Sequence, residues 1–500
     1  MGYRLGNEDN NLVSHLLFMD DLKLYGTSEE MLDSLIQTVR IFSDDIGMQF
    51  GLEKCGILVL ERGKVIKSDG IELPNGERMR EIDLDGYKYL GILQYDAIQS
   101  EAMKKKVKQE YFRRVKKLMR SKLNGGNVIL GVNSWAIGIV RYGAGVLDWT
   151  KQELRDMDIR TRKIMTMNGN LHPRGNVSRL YLPRKEGGRG LISCEECVEN
   201  ETRNLIKYIR ESSEWMLKCV AEFNEYFDQF WNEDWKEETN RTKKQQWHNK
   251  PLHGKFWKDT MEVRGDRSWD WLKGGHLKKE TEALICAAQE QALATNSVKA
   301  EIYEQDVENK CRLCGAPNET VMHIVSGCSV LAGKEYLTRH DQVGKHIHWL
   351  LLKKWDIPCT EKWYEHVPQP VVQSGDGQIV ITWDLEIKTD RKVGHNKPDI
   401  LVKNHAEKIW YIIDFAVPMD HRVEIKEAEK VHNYMNLATE VRRQHRVRTK
   451  IVPIIVGALG TVPKTLEKSF EILEIPDVTS SLQTAALLGT AAILRRVLNL

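Results

Sequence analysis

The chain has 500 residues, of which 41% are hydrophobic and 29% charged, and its formal net charge is +3. Its length predicts three or four domains at roughly 150 residues each. No apolar run approaches the roughly 18 residues of a membrane-spanning helix, and the first twelve residues lack the apolar core of a secretory signal. Nine cysteines in such a chain indicate a reducing compartment, where cysteine is more often a metal ligand than a disulfide partner.

The stretch HLLFMDDLKLYG, residues 15–26, predicts a buried hairpin with Asp20 and Asp21 at its centre. Buried carboxylates repel each other and are costly to desolvate unless a cation holds them. A carboxylate pair on a tight turn is one way to hold Mg²⁺. An ordinary surface turn between two strands remains the alternative.

Residues 28–190 continue with mixed strand and helix patterns. An amphipathic helix is predicted from Ser28 to Ile46, followed by strands in GILVL and YKYLGI. Between Glu101 and Lys122, ten Lys or Arg residues oppose two Glu residues. This block suits contact with a phosphate backbone, although a solvated helix face is the ordinary reading of a charge run. Helices rich in small and apolar residues follow, and then a loop rich in Gly and Pro.

Helices are predicted to resume from Cys194 to about Lys299. Six tryptophans fall between Trp231 and Trp271. They could stack on bases, but their mixed helical spacing favours a core role for most of them.

The stretch CRLCGAPNETVMHIVSGC has the spacing C-x2-C-x8-H-x4-C. Two thiolates on a tight turn, with a histidine and a cysteine from the next turn, complete a tetrahedral coordination sphere for Zn²⁺. The sequence therefore predicts a zinc site formed by Cys311, Cys314, His323 and Cys328. Four protein ligands leave no open coordination position, so the predicted role is structural.

The stretch KPDILVKNHAEKIWYIIDFAVP predicts a hairpin of strands at residues 398–403 and 408–415. Antiparallel pairing would bring Asp399, at the start of the first strand, near Asp414, at the end of the second. Two carboxylates at one end of a sheet are what a Mg²⁺-dependent phosphodiesterase needs. The alternative is an ordinary hairpin with exposed aspartates.

A metal nuclease also needs a lysine, but Ala416 occupies the position where the D/E-x-K pattern has one. The helix predicted from about Arg422 to Gln444 supplies other candidates. Lys426, Lys430 and Tyr434 recur every four residues along one side of this helix. That side borders a predicted apolar face, formed by Val423, Val431, Met435, Ala438 and Val441. Lys430 is the first choice, because Lys426 should point more into solvent.

Taken in order, these residues resemble the carboxy-terminal part of the polyprotein of LINE-type (non-long-terminal-repeat) retrotransposons that carry a restriction-like endonuclease. LLFMDDLKLYG is similar to the reverse-transcriptase turn with two catalytic aspartates. FGLEKCGILVL and YKYLGI are similar to the palm blocks that follow it. SWAIGIVRYGAGVLDW and the basic helices before it are similar to the thumb. The cysteine-rich stretch followed by KPD and IDFAVP is similar to the endonuclease module.

The resemblance implies an α+β multidomain fold. It divides the chain into a partial reverse-transcriptase palm (1–98), thumb-like helices with a basic loop (99–190), a helical linker (191–305), a CCHC zinc knuckle with a connector (306–370) and a PD-(D/E)xK-like α/β endonuclease domain (371–500). A palm of this family needs an earlier strand with a further aspartate, so the chain is expected to be a truncated copy or a gene-model fragment.

The implied activity is Mg²⁺-dependent nicking of target DNA beside an incomplete RNA-directed DNA polymerase. Asp399, Asp414 and Lys430 would act in the nuclease with Lys426 and Tyr434, and Asp20 and Asp21 would hold Mg²⁺ in the polymerase. The implied partners are target DNA, the element RNA and the missing polymerase half or an intact element protein, with no membrane. The implied location is the nucleus after cytoplasmic synthesis. The alternatives are a catalytically dead, zinc-containing nucleic-acid-binding remnant and a decayed copy with no cellular role.

Overall fold

The structure, a computed structural model, describes residues 2–5, 11–49, 51–73, 76–222 and 235–500. Helices predominate in these ranges and the strands form small sheets, so the expected mixed α+β class is confirmed. None of the helices in the described ranges is long and apolar enough to cross a membrane.

The chain divides into two compact units. The first contains Met1–Lys117, Val132–Thr161 and Ile192–Trp235. The second contains Leu118–Gly131, Arg162–Leu191 and Lys236–Leu500.

The strands of the described residues are numbered in chain order: β1 Tyr3–Arg4, β2 Leu12–Val13, β3 His15–Phe18, β4 Asp21–Leu24, β5 Val59–Glu61, β6 Lys64–Ile66, β7 Ile71–Glu72, β8 Arg78–Met79, β9 Tyr87–Tyr89, β10 Ile92–Gln94, β11 Val371–Gln373, β12 Ile379–Trp383, β13 Ile400–Asn404, β14 Ile409–Ala416 and β15 Arg448–Ile455. The α-helices are α1 Glu29–Asp45, α2 Ser100–Met119, α3 Gly125–Gly131, α4 Ile137–Tyr142, α5 Lys151–Met167, α6 Val177–Tyr181, α7 Cys194–Glu211, α8 Trp215–Glu222, α9 Trp235–His248, α10 Lys255–Thr260, α11 Asp270–Gly274, α12 Lys279–Gln289, α13 Asn296–Glu301, α14 Val321–Ser326, α15 Ser329–Leu331, α16 Leu337–Lys354, α17 Val423–His445, α18 Leu466–Leu473 and α19 Thr479–Leu498.

Among the residues that the structure describes, the strands of the first unit pair two at a time, as β1–β2, β3–β4, β5–β6, β7–β8 and β9–β10. The predicted helix after the Asp-Asp turn is confirmed as α1, and the Ser28 side chain caps it by accepting a hydrogen bond from the Met31 N–H. The prediction of a buried hairpin is wrong. Leu17 and Phe18 are more than half exposed, and Met19 is 84% exposed, because a two-stranded sheet needs a further packed layer to bury its apolar side chains.

The basic block lies on α2, but it is not a uniform cationic face. Lys104 is buried and binds Glu101 and Glu153. Lys108 also binds Glu153. Lys105, Lys106, Lys116 and Lys117 are exposed, so the solvent-facing side of α2 keeps a net positive charge.

The second unit contains a five-stranded sheet with the order β11-β12-β13-β14-β15. Neighbouring strands are antiparallel except for β14 and β15, which are parallel. The parallel pair requires a crossover connection, and α17 supplies it. The predicted hairpin is confirmed as β13–β14, with Ile400 opposite Ile413.

Alternate side chains of β13 and β14 point to opposite faces of the sheet. Leu401, Trp410 and Ile412 pack with Leu437 and other residues of α17. The intervening residues of the same strands pack with α16, α18 and α19. Every residue of β14 is buried, which explains its nearly continuous apolar sequence. By this alternation Asp399 and Asp414 belong to the face that α17 covers.

A second core in this unit joins α11, α12 and α19 to the cysteine-rich stretch. Trp247, Trp269 and Trp271 are buried in it, which confirms the expected core role for these tryptophans. Trp231 lies outside the described residues. Cys311 and Cys328 belong to the same core, so the cysteine-rich stretch is built onto the helices that precede it and onto α19.

Candidate metal centre and candidate active site

The four residues of the C-x2-C-x8-H-x4-C spacing converge. The ligand atoms of Cys311, Cys314, His323 and Cys328 all lie within 4.8 Å of one another. The Sγ atoms of Cys311 and Cys328 are 3.9 Å apart, and Cys314 Sγ lies 3.3 Å from His323 Nε2. Zn–S bonds of about 2.3 Å in a tetrahedron place two sulfurs about 3.8 Å apart. This Cys₃His cluster can therefore bind a metal such as zinc.

Local backbone structure positions each ligand. A tight turn after Cys311 returns the chain, with the Gly315 N–H donating to the Cys311 carbonyl, and Gly315 has a φ of +71° that favours glycine. His323 lies in the first turn of α14, whose N-cap is Thr320. The Cys328 N–H donates to the Tyr336 hydroxyl at 3.0 Å, which connects the last ligand to the segment that leads into α16.

Glu319 stabilises the turn through hydrogen bonds, a role that the sequence analysis did not anticipate. Its side chain is 0% exposed. The carboxylate accepts hydrogen bonds from the Arg312 backbone N–H at 2.8 Å, from the Arg312 guanidinium at 2.6 to 3.1 Å and from the Asn296 N–H at 2.9 Å. Arg312 lies between Cys311 and Cys314, so Glu319 holds the part of the chain that presents two of the four ligands.

The second candidate site lies at the end of β14. The register of β13 and β14 places Asp399 one position beyond the Ile400–Ile413 pair, opposite Asp414. Asp399 Oδ2 accepts a hydrogen bond of 2.7 Å from the Phe415 N–H. The structure therefore brings together the two aspartates that the hairpin pattern paired.

Lys430 and Tyr434 reach this pair from α17. The Lys430 ammonium forms an ion pair with Asp414 Oδ2, and the Tyr434 hydroxyl donates to Asp414 Oδ1 at 2.9 Å. Lys430 is 20% exposed and Lys426 is 38% exposed, as expected from their positions on the helix. Lys426 contacts Glu429 at 2.7 Å rather than either aspartate.

The predicted apolar face of α17 is partly wrong. Val423, Ala438 and Val441 are buried, but Val431 and Met435 are exposed. Tyr434 and Leu437 are buried in their place. The helix is rotated relative to the prediction because the sheet accepts the aromatic body of Tyr434, which keeps its hydroxyl on Asp414.

His340 on α16 completes the site, and the sequence analysis missed it. Its Nε2 lies 3.2 Å from Asp399 Oδ2, and its Nδ1 lies 3.1 Å from Asp341. The only sequence signal is a histidine beside an aspartate near the start of a helix, more than 50 residues from Asp399. Such a pair does not stand out without the packing of α16 on the sheet.

The charges of the site are mutually dependent. Burial and then the neighbouring Asp399 raise the pKa of Asp414 to about 6, against the opposing effect of Lys430. Burial acts to raise the pKa of Asp399 as well, but the hydrogen bond and charge of His340 outweigh it and lower that pKa. Burial lowers the pKa of His340, yet hydrogen bonds to Asp341 and Asp399 prevail and raise it to about 10. Cations thus hold both carboxylates.

The donor set of this site suits Mg²⁺. Asp399 and Asp414 offer carboxylate oxygens, the ligands that this hard cation prefers. They are buried beside an ammonium group and a histidine, so the structure already compensates their charge with cations.

Asp20 and Asp21 form no comparable site. Both are exposed, with Asp20 in the turn and Asp21 at the start of β4 opposite Phe18. Within the ranges that the structure describes, the Cys₃His cluster is the one group of three or more His, Cys, Asp or Glu residues close enough to share a metal ion.

Four arginines lie in the last turn of α17 and in the segment that follows it. Arg442 and Arg443 lie in the last turn of α17, Arg446 is its C-cap with a φ of +52°, and Arg448 begins β15. Arg443 contacts Glu440 at 2.9 Å and Asp390 at 3.2 Å.

Comparison of the chain with protein-family models and with curated proteins finds no match in either case.

Proposed function

We propose that the second unit is a Mg²⁺-dependent endonuclease that nicks DNA, in a protein derived from a LINE-type retrotransposon. The observation that carries this proposal is the convergence of Asp399, Asp414, Lys430 and Tyr434 at the end of β14. Carboxylates paired on adjacent strands, with a lysine directed at one of them, are typical of metal nucleases that hydrolyse phosphodiesters.

Each residue has a distinct proposed role. Asp399 and Asp414 would hold the ion, which when bound stabilises the charge that develops on the phosphate. Lys430 would place a positive charge beside the attacked phosphate or orient the attacking water. Tyr434 fixes the orientation of Asp414, and His340 fixes Asp399, so both act as positioning residues. Lys426 would contact the DNA backbone from the rim of the site.

The Cys₃His cluster would bind Zn²⁺ and act as a structural knuckle. All four ligands come from the protein, which leaves no position open for substrate. Tyr336, which accepts a hydrogen bond from the Cys328 N–H, connects the knuckle to α16, the helix that carries His340. The knuckle would therefore help to position nucleic acid near the acidic pair.

For the polymerase, we propose that the chain does not extend a primer by itself. Two-metal phosphoryl transfer needs ions held about 4 Å apart by converging carboxylates. Asp20 and Asp21 are exposed, and the described residues bring no third ligand to them. Primer extension by the isolated protein on any template would overturn this proposal.

Conversion of supercoiled plasmid to nicked circles by the purified full chain tests the nuclease. Asp399→Asn and Asp414→Asn should each reduce Mg²⁺-dependent nicking by about 10²-fold or more and leave DNA binding nearly intact. Asp376→Asn is the matched control, since Asp376 is exposed in the turn between β11 and β12. A double variant of Asp399 and Asp414 that nicks at the unsubstituted rate would refute the nuclease and leave the catalytically dead nucleic-acid-binding remnant as the remaining function.

A further inference from the structure

A cavity of about 460 Å³ lies beside the acidic pair in the second unit. It is bounded by α14, by the segment that leads into α16, by the end of β14 and by the start of α17. Lys430 and His340 line it, and these residues contact Asp414 and Asp399. The cavity and the candidate active site therefore share two side chains.

The walls of the cavity are largely apolar. Leu337, Phe415, Pro418 and Met419 line it together with the ring of Tyr336. Its volume is within the range of about 300–1,000 Å³ that is usual for small-molecule sites. Such walls suit the faces of a planar, aromatic group.

The charged residues of the cavity are all basic. Arg339, Arg422, Lys426 and Lys430 line it, and no Asp or Glu residue lies among its described lining residues. Arg422 and Lys426 each contact Glu429, which lies outside the lining, at 3.3 and 2.7 Å. Arg422, Lys426 and Lys430 at the opening contact two carboxylates, Glu429 and Asp414. One positive charge therefore remains in excess, and it favours an anionic ligand such as a phosphate group.

Two residues that line the cavity, Arg339 and Ser326, carry buried polar atoms without a hydrogen-bond partner among the described residues. Arg339 is 2% exposed, and its Nη atoms donate to the carbonyls of Val325 and Val417. Its Nε and the Oγ of Ser326 are buried and have no hydrogen-bond partner among the described residues. A buried donor and a hydroxyl without partners can bind the polar edge of a ligand.

We infer that this cavity binds one unstacked nucleotide of the DNA strand, next to the phosphate that the acidic pair would cleave. The base enters between the apolar walls, with its edge toward Ser326 and Arg339. Its phosphate lies at the rim near Lys426 and Arg422. This inference rests on the proposed nuclease and specifies its substrate as DNA that is locally unpaired at the cleavage site. Enzymes that extrude a base recognise it by the same combination of stacking and edge contacts.

The test compares two short DNA duplexes that differ by one bulged nucleotide, with the full chain and with Ca²⁺ in place of Mg²⁺. The unsubstituted protein should bind the bulged duplex about tenfold more tightly, because stacking of one base contributes enough for such a difference. Leu337→Trp should fill the cavity and abolish this preference while binding of the paired duplex is unchanged. Leu337 is exposed at the start of α16, so the larger ring can be accommodated without unfolding.

Val330→Trp is the matched control, because Val330 is exposed on the neighbouring α15 and does not line the cavity. It should keep the preference for the bulged duplex. Equal affinity of the unsubstituted protein for both duplexes, or a preference that survives Leu337→Trp, would overturn the inference. Tighter binding of a bulged RNA duplex than of the DNA one would overturn the assignment to DNA.

Failure of this inference is distinguishable from failure of the proposed nuclease. A protein that nicks plasmid through Asp414 but does not prefer the bulged duplex contradicts the cavity alone. A protein that prefers the bulged duplex but whose nicking is unchanged by Asp414→Asn contradicts the nuclease alone.

Discussion

Replacement of Glu319 by glutamine should weaken both the cysteine-rich stretch and its metal. The two side chains have nearly the same shape, so the change removes charge rather than volume. The amide also turns one acceptor into a donor, and that donor would face the Arg312 guanidinium and the Asn296 N–H, which are donors themselves.

The expected loss is about 3 kcal/mol in the free energy of unfolding. The variant loses the ion pair and at least two hydrogen bonds to a charged group, which contribute about 1.5–3 kcal/mol each. Breaking a buried ion pair at one partner typically costs about 3–5 kcal/mol. Arg312 remains 25% exposed and is partly solvated, which favours the lower end of that range. Because Arg312 lies between two of the ligands, zinc affinity should also fall by about 10–100-fold, as for other residues that orient metal ligands.

Urea unfolding of the zinc-loaded chain, followed by tryptophan fluorescence, measures the first effect. Trp247, Trp269 and Trp271 share a core with Cys311 and Cys328, so their emission reports on this region. Competition with a chelator measures the second effect. Glu308→Gln is the control, because it removes only an exposed contact with Lys310 in the same stretch. A loss of stability below about 1 kcal/mol, far under the usual cost of breaking a buried pair, together with unchanged zinc affinity, would refute the reasoning.

Three further predictions concern the candidate active site and the first unit. Lys430→Met should slow nicking by about 10²–10³-fold. Lys426→Met should slow it far less, because Lys426 contacts Glu429 rather than the aspartates. Equal effects of the two variants in single-turnover assays would contradict this assignment. His340→Ala should weaken Mg²⁺ binding, measured by calorimetry, by about 10–100-fold, and unchanged affinity would exclude its positioning role. Burial raises the pKa of Glu153, but hydrogen bonds from Lys108, the Thr150 N–H and Lys104 outweigh it and lower that pKa to about 2. The stability that these contacts contribute should be fully present above pH 4.5, the ordinary pKa of a glutamate, and should disappear as the pH falls through about 2. The unfolding free energies of the unsubstituted protein and of Glu153→Gln should therefore converge at acid pH.

The sequence by itself determined the features that depend on residues close in the chain. The four ligands of the Cys₃His cluster lie within 18 residues, so their spacing alone brings them together. Asp399 and Asp414 flank a hairpin whose register follows from the length of its polar turn. The start of α1 at its Ser28 cap and the crossover helix α17 were likewise evident from local signals.

Only the tertiary structure decided which distant side chains join these local features. His340 reaches Asp399 because α16 packs on the sheet, and Lys430 rather than Lys426 faces Asp414 because Tyr434 and Leu437 set the rotation of α17. The exposure of the β3–β4 hairpin was likewise not evident from its sequence, because a two-stranded hairpin is buried only where a further layer packs on it. A sequence pattern identifies which residues share a face of one element. The burial and charge of that face are decided by the element that packs on it, and that element is often far away in the chain.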